Sequence, residues 1–334
     1  MGVFSLIDIE VAKENIRETL NPLIKNCKNI AFFDFPNHAN VGDSAIWLGT
    51  MDYLKENASS SPIIWMSDKK TLSPNNLPVF DKKTLLIIHG GGNFGDLWED
   101  HQRHRELIIQ SYPNNRIIQL PQSIHFQNES NLKDTKSIIA KHKDFHFVVR
   151  DQKSFEIAKT FEGIEVYLCP DMAFYIKRIP KLKEPKHDVV ALIRTDKESV
   201  ISEDCGKCAI PIFDWLSEPI TAAVRFDTFM SHYPSVSNNY PLINNMFRSL
   251  IYKRLANERF KRGCDLLMQG KVVITDRLHA HIMCTLLGIP SVVLDNSYGK
   301  IKNVLETWES DSKIAYQVDS FDRAVTLAAS YLQS

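Results

Sequence analysis

Short apolar runs recur along this sequence, and a stretch of helical period follows almost every one. In the first half they are NIAFFDFP (29–36), PIIWM (62–66), TLLIIHGGG (84–92), RIIQLPQS (116–123), FHFVVRD (145–151) and EVYLCPDM (165–172). Each run suits a strand covered on both faces. Strand and helix in strict alternation dictate parallel pairing, because a parallel neighbour is reached only through a crossover. Residues 176–187 (IKRIPKLKEPKH) interrupt the series with a basic, proline-containing linker. A second series follows: HDVVALIRTD (187–196), a long helical region to Gln269, KVVITD (271–276) and IPSVVLD (289–295). The pattern predicts an α/β fold of two Rossmann-like domains facing across a cleft, over 1–180 and 187–334. At 334 residues the chain suits two cores better than one.

Parallel sheets hold ligands beyond the carboxyl ends of their strands. That rule sorts the polar residues. Asn40, Gly42 and Asp43 follow the first strand as a glycine-containing loop, and Gly92, Asn93 and Asp96 follow the third. Gln122 and Ser123 end the fourth strand and Arg150 the fifth; Arg194, Arg277 and His279 end strands of the second series. One end of both sheets therefore collects the chemistry.

Other classes of function fit poorly. Lys plus Arg equals Asp plus Glu at 40 each, which gives nucleic acid no electrostatic footprint. The first residues lack a signal-peptide pattern, and no apolar run approaches the roughly 18 residues of a membrane span. A cytoplasmic chain with reduced thiols is expected, and Cys205-Gly-Lys-Cys208 has no second pair to make a zinc site. Gly90–Gly95 satisfies G-x-G-x-x-G as a strand-to-helix turn, but the next strand ends in Pro121-Gln122 without the acid that would hold a dinucleotide ribose. His101 and His104, three apart on a helix without a third ligand, read as a solvated polar face; no metal site is expected.

Asp276-Arg277-Leu278-His279-Ala280-His281 reads either as a helix cap or as a functional cluster, and the residue types of Arg277 and His279 favour the second. Arginine presents a planar fork suited to carboxylate and phosphate, and histidine exchanges protons near neutral pH. Both at one strand end, at the mouth of a helix, suit an anionic substrate that must be protonated. His281 reads equally well as a buried helix residue.

These pieces, with NVGDSAI, HGGGNFGDLW, LPQSIHFQN, RDQKSFEIA, CPDMAF, IRTD, DRLHAHI and DNSYGK in that order, resemble the polysaccharide pyruvyl transferase family over nearly the whole chain. The resemblance implies a GT-B-like fold with the N-terminal domain on the acceptor side and the C-terminal domain holding phosphoenolpyruvate (PEP). It implies transfer of the enolpyruvyl carbons to two hydroxyls of one sugar, giving a cyclic pyruvate ketal. No cofactor is implied beyond PEP as donor substrate. By resemblance Arg277 binds PEP, His279 is the general acid and Arg194 is a second donor-binding arginine. Leu278 lies between the first two in the motif, Lys300 is a third candidate cation, and Asp43 is a candidate base. Asn40, Gly42, Gly92, Asn93, Asp96, Gln122, Ser123 and Arg150 are expected on the acceptor side of the cleft.

The acceptor is expected to be a sugar of a surface-polysaccharide precursor, lipid-linked in one reading. Trp47, Trp98, Phe126 and Tyr298 could stack on sugar faces or lie in the core. The helical segment 242–268 carries Arg248, Lys253, Arg254, Arg259, Lys261 and Arg262 beside Leu250, Ile251, Tyr252, Leu255 and Phe260. It reads as a domain helix with a solvated basic face, or as a peripheral contact with the inner face of a membrane. The rival functions are a GT-B glycosyltransferase using a nucleotide sugar and a non-catalytic sugar-binding protein. The oligomeric state is not legible.

Overall fold

The computed structural model describes residues 8–195, 210–232, 241–295, 299–308, 317–318 and 320–333. Within them the chain is α/β, with two sheets whose neighbouring strands all pair in parallel.

The first sheet comprises β1 (Asn29–Phe35), β2 (Ile63–Asp68), β3 (Thr84–Ile88), β4 (Gly91–Gly95), β5 (Ile117–His125), β6 (Phe145–Val149) and β7 (Glu165–Leu168). Its order is β2-β1-β3-β5-β6-β7, with β4 also on β5. The second comprises β8 (His187–Leu192), β9 (Ile212–Phe213), β10 (Gly270–Thr275), β11 (Ser291–Leu294) and β12 (Gln317–Val318), in the order β12-β11-β10-β8-β9. The helices that matter for the site are α1 (Ile9–Ile24), α2 (Val41–Asn57), α3 (Glu99–Ser111), α4 (Glu129–Ile139), α5 (Gln152–Ala158), α6 (Ala222–His232), α7 (Pro241–Leu267), α8 (Leu278–Leu287) and α9 (Lys300–Trp308), and α10 (Phe321–Tyr331) closes the described chain.

Three apolar clusters explain the layering. One lies on the face of the first sheet that carries Phe33, Leu86 and Phe147; another backs the second sheet around Ile274 and Leu294. The largest is continuous from α1, α2 and β1 to α7, α8 and β10, so the two sheets share a core. Buried strand runs such as Thr84–Ile88, covered on both sides, follow from this arrangement.

Two local expectations change. Asn40, Gly42 and Asp43 do not form a loop: Asn40 is the N-cap of α2, its Oδ1 accepting from Gly42 N at 3.2 Å, and Gly42 and Asp43 lie in the first helical turn. The glycine run does not turn directly into a helix either. Gly91–Gly95 extends as β4 alongside β5, where a side chain at Gly95 (φ +125°) would have its Cβ 1.7 Å from the His125 carbonyl oxygen. The glycines thus serve strand packing, a use the sequence motif does not separate from anion binding.

Candidate active site

From β10 the chain passes directly into α8, with Arg277 at the N-cap. Ser, Thr, Asp or Asn at that position would stabilise the helix by about 1 kcal/mol, and Arg277 makes no side-chain cap bond. Its Nη2 instead donates to Asp214 Oδ1 and Oδ2 at 2.7 and 3.0 Å, and its guanidinium lies 5.5 Å from the Trp215 ring centroid. Asp214 also accepts from the Thr195 N–H at 3.0 Å and hydroxyl at 2.6 Å. The N-cap position thus holds a cation that does not cap the helix, a departure from local preference of the kind expected at functional positions. Beside it, Asp276 Oδ1 accepts from Arg194 N at 2.9 Å, and its buried Oδ2 has no hydrogen-bond partner among the described residues. Burial pushes the Asp276 carboxyl up to about 6.

Two residues on, His279 reaches across to the first sheet. Its Nε2 lies 3.4 Å from Asp171 Oδ2 and 3.3 Å from Arg150 Nη1. These contacts exclude each other chemically: the nitrogen donates to the carboxylate when protonated and accepts from the guanidinium when not. Arg150 is fixed for either case, donating to Asp171 Oδ2 at 2.6 Å and to Ser123 Oγ at 2.9 Å. Burial opposes the charge on Asp171, but His279 and Arg150 outweigh it and hold the carboxyl well below the usual range. The ring rests against α2 at Gly42, where any Cβ would come within 2.4 Å of His279 Nδ1.

The first sheet supplies the facing wall. Asn40 Nδ2 donates to Asp43 Oδ2 at 2.8 Å, and His38 Nε2 lies 3.7 Å from the same oxygen. Despite burial, His38, His279 and His89 keep the Asp43 carboxyl below its ordinary value. Asp34 takes a left-handed conformation (φ +62°) at the end of β1 and meets His101 Nδ1 at 3.2 Å. His89 is buried behind them; burial lowers it to about 4, so it is neutral at neutral pH.

A cavity of about 960 Å³ opens between these walls. Arg194, Arg277, Leu278 and His279 line it from the second sheet; Asn40, Asp43, Gly92, Asn93, Asp96 and Arg150 line it from the first. Gln122 and Ser123, expected in the cleft, lie behind the wall: Gln122 donates to Asn93 Oδ1, and Ser123 donates to Asp151 while accepting from Arg150. Asp96, although it lines the cavity, is committed to the backbone N–H groups of Gln127 and Asn128 at 2.8 Å each. The Lys300 side chain, Tyr298, Cys205 and Cys208 lie outside the described residues. Trp98 lines the cavity, Trp47 belongs to the core, and Phe126 packs on Phe94.

The solvated histidine face is wrong: His104 is buried, and His101 lines the cavity. His281 takes its ordinary reading, buried with Nδ1 2.9 Å from Ser291 Oγ. Sequence reasoning gave no role to Asp34, His38, Lys69, Lys70, Asp171 or Asp214. Asp171 and Asp214 each follow a strand and were open to the same strand-end rule. Among the described residues no group of three or more His, Cys, Asp or Glu side chains is placed to hold a metal ion.

Comparison with known proteins gives the family of the chain. The family model described as polysaccharide pyruvyl transferase matches residues 40–298. EpsO of Bacillus subtilis (strain 168), provisionally named a pyruvyl transferase, is 32% identical over 86% of this chain and 87% of its own. Pyruvyl transferase 1 of Schizosaccharomyces pombe (strain 972 / ATCC 24843) is 31% identical over 90% of this chain and 75% of its own. A crystal structure of a functionally uncharacterized Klebsiella pneumoniae protein, KP1_0663, superposes with a TM-score of 0.58 at 20% identity, covering 94% of this chain and 98% of that one. This last likeness concerns the fold alone.

Proposed function

The chain belongs to the polysaccharide pyruvyl transferase family, and from that premise we propose that it moves the three carbons of PEP onto two hydroxyls of one sugar. The observation that carries this reading is the placing of Arg194, Arg277 and His279 on one cavity with Asp43 opposite. In this reading the two sheets are the lobes of a GT-B-like enzyme, with residues 1–180 on the acceptor side and 187–334 on the donor side.

PEP carries a carboxylate and a phosphate, and Arg194 and Arg277 supply charge matched to both. Asp214 holds the Arg277 fork in place before substrate arrives, so little reorganisation is left for the bound complex. The enol phosphate of PEP is inert to alcohols until its terminal carbon is protonated. His279 gives that proton, and the CH₂ group becomes the methyl of the product. Both states of the ring have a partner in place, Asp171 for the protonated form and Arg150 for the neutral one, so the ring need not move during the step. One hydroxyl oxygen bonds to the electrophilic carbon, with Asp43 accepting its proton. The carbon–oxygen bond to phosphate breaks, the second hydroxyl closes the ketal, and phosphate leaves carrying a proton. Two hydroxyl protons are lost: Asp43 passes on the first to restore His279, and the second goes to phosphate. The balance requires no oxidant or reductant.

The test is incubation with PEP and a panel of sugar acceptors. Phosphate release, together with the mass of a ketal-linked pyruvate on the sugar, is the expected result. In thermal-shift titration PEP should raise the melting temperature more than a nucleoside diphosphate does. The reverse preference, with no PEP consumption, would replace this reading with a nucleotide-sugar transferase.

A further inference from the structure

The long basic helix of the second half does not present the face its sequence suggests. Along α7 the outward positions are Met246, Phe247, Leu250, Lys253, Arg254, Asn257 and Lys261, a stripe at helical spacing. Arg248 and Arg259 are turned inward, Arg259 donating to Glu218 and to the Pro36 carbonyl. The exposed stripe is therefore apolar at its start and cationic towards its end.

Helix α6 adds to it. Thr221, just before α6, donates to Glu258 on α7, and Asp227 and Arg248 both lie close enough to Tyr252 to influence its hydroxyl. The two helices pack on each other, with Phe226 and Phe229 exposed on α6 and Leu250 and Lys253 exposed on α7. Ile220, Phe226, Phe229, Met246, Phe247 and Leu250 are 43–71% exposed. Of the eleven strongly exposed large apolar side chains among the described residues, five fall on α6 and α7 and a sixth, Ile220, just before α6, so the cluster is no scatter of single residues.

The net charge around the patch is positive. Between Glu218 and Asp265 the sequence holds two acids, Asp227 and Glu258, against seven Lys and Arg residues, of which Arg225, Lys253, Arg254 and Lys261 are exposed. Both acids are occupied: Asp227 accepts from Asn37 and Glu258 from Thr221 and Arg254. Arg225, Lys253 and Lys261 are exposed beside the apolar groups.

We propose that the α6–α7 face docks on an anionic phospholipid surface, with its aromatic and aliphatic side chains entering the headgroup boundary and its cations meeting lipid phosphates. A two-fold contact with a second copy fits less well, because it would set the same cations against one another. The face is tied to the cavity, since Asn37 lines the cavity and donates to both Asp227 of α6 and Asp68. A lipid-anchored sugar could then reach His279 from the docked side. Delivery of such an acceptor rests on the activity proposed above; docking itself does not.

The full chain should pellet with vesicles of phosphatidylcholine containing about a third phosphatidylglycerol and remain in solution with phosphatidylcholine alone. Phe226→Ser with Phe229→Ser should weaken pelleting about tenfold, and Arg225→Glu with Lys253→Glu should do the same and remove its salt dependence. If the aromatic pair lowers the melting temperature, Met246→Gln with Leu250→Gln takes its place. Wild-type protein that stays in solution with anionic vesicles, or variants that pellet like wild type, would overturn the proposal. So would a wild-type dimer that these substitutions split, which would assign the face to a second copy. Vesicle binding without phosphate release would leave docking standing and remove the proposed activity; phosphate release with a soluble acceptor and no vesicle binding would do the reverse.

Discussion

The two sheets bring polar residues to the same cavity, but they use them differently. At the ends of the first sheet most such groups are committed to one another: Ser123 to Asp151 and Arg150, Gln122 to Asn93, and Asp96 to two backbone N–H groups. At the ends of the second sheet Arg277 and His279 are held at one edge by a carboxylate from elsewhere and still line the cavity. Much of the first wall is bonded within itself, whereas Arg277 and His279 of the second each keep a carboxylate partner and still border the cavity. Polarity at a strand end therefore locates a site without saying which residues react.

This contrast can be broken by substitution. His279→Gln should lower phosphate release from PEP and acceptor by roughly 10²- to 10⁴-fold while leaving the melting temperature near that of the parent. Turnover close to wild type would remove His279 from its role as acid. Arg150→Ala should act through stability, leaving Asp171 charged and buried without its ion pair; urea unfolding should show a loss of about 3–5 kcal/mol. A variant as stable as its parent would place Arg150 with the second wall rather than the first. The smallest effect concerns pH. Burial keeps His89 at about 4, below the free histidine value, so the folded state binds fewer protons than the unfolded one between those limits. The associated stability is complete above about pH 6.5 and is lost as pH falls towards 4, amounting to about 2 kcal/mol by pH 5. His89→Phe, which keeps a ring against Phe32, should flatten that acid limb in unfolding measured at pH 7 and pH 5.

How much the sequence could reveal followed from the range of the forces involved. Strand–helix alternation is local, so the α/β class and parallel pairing were readable, and Arg277 with His279 stood out because no strand-to-helix turn requires them. The partners of these residues were not readable. Asp171 lies 108 positions from His279 and Asp214 lies 63 from Arg277, so only tertiary packing joins them. The glycine run misled for a related reason: its spacing suits a ligand's approach, but the group that approaches Gly95 is the backbone of β5. The faces of α7 were misjudged because arginines that clamp Glu218 look no different in sequence from arginines facing solvent.

Near the far end of the described chain, Trp308 of α9 donates to the Arg150 carbonyl at 2.8 Å, and the Thr307 hydroxyl receives the Gln152 N–H at 2.9 Å. During synthesis all seven strands of the first sheet emerge long before these two residues do. The Arg150 carbonyl gains its Trp308 donor only after 158 further residues have followed it in the chain, so this edge of the pocket matures later than the sheet that carries it.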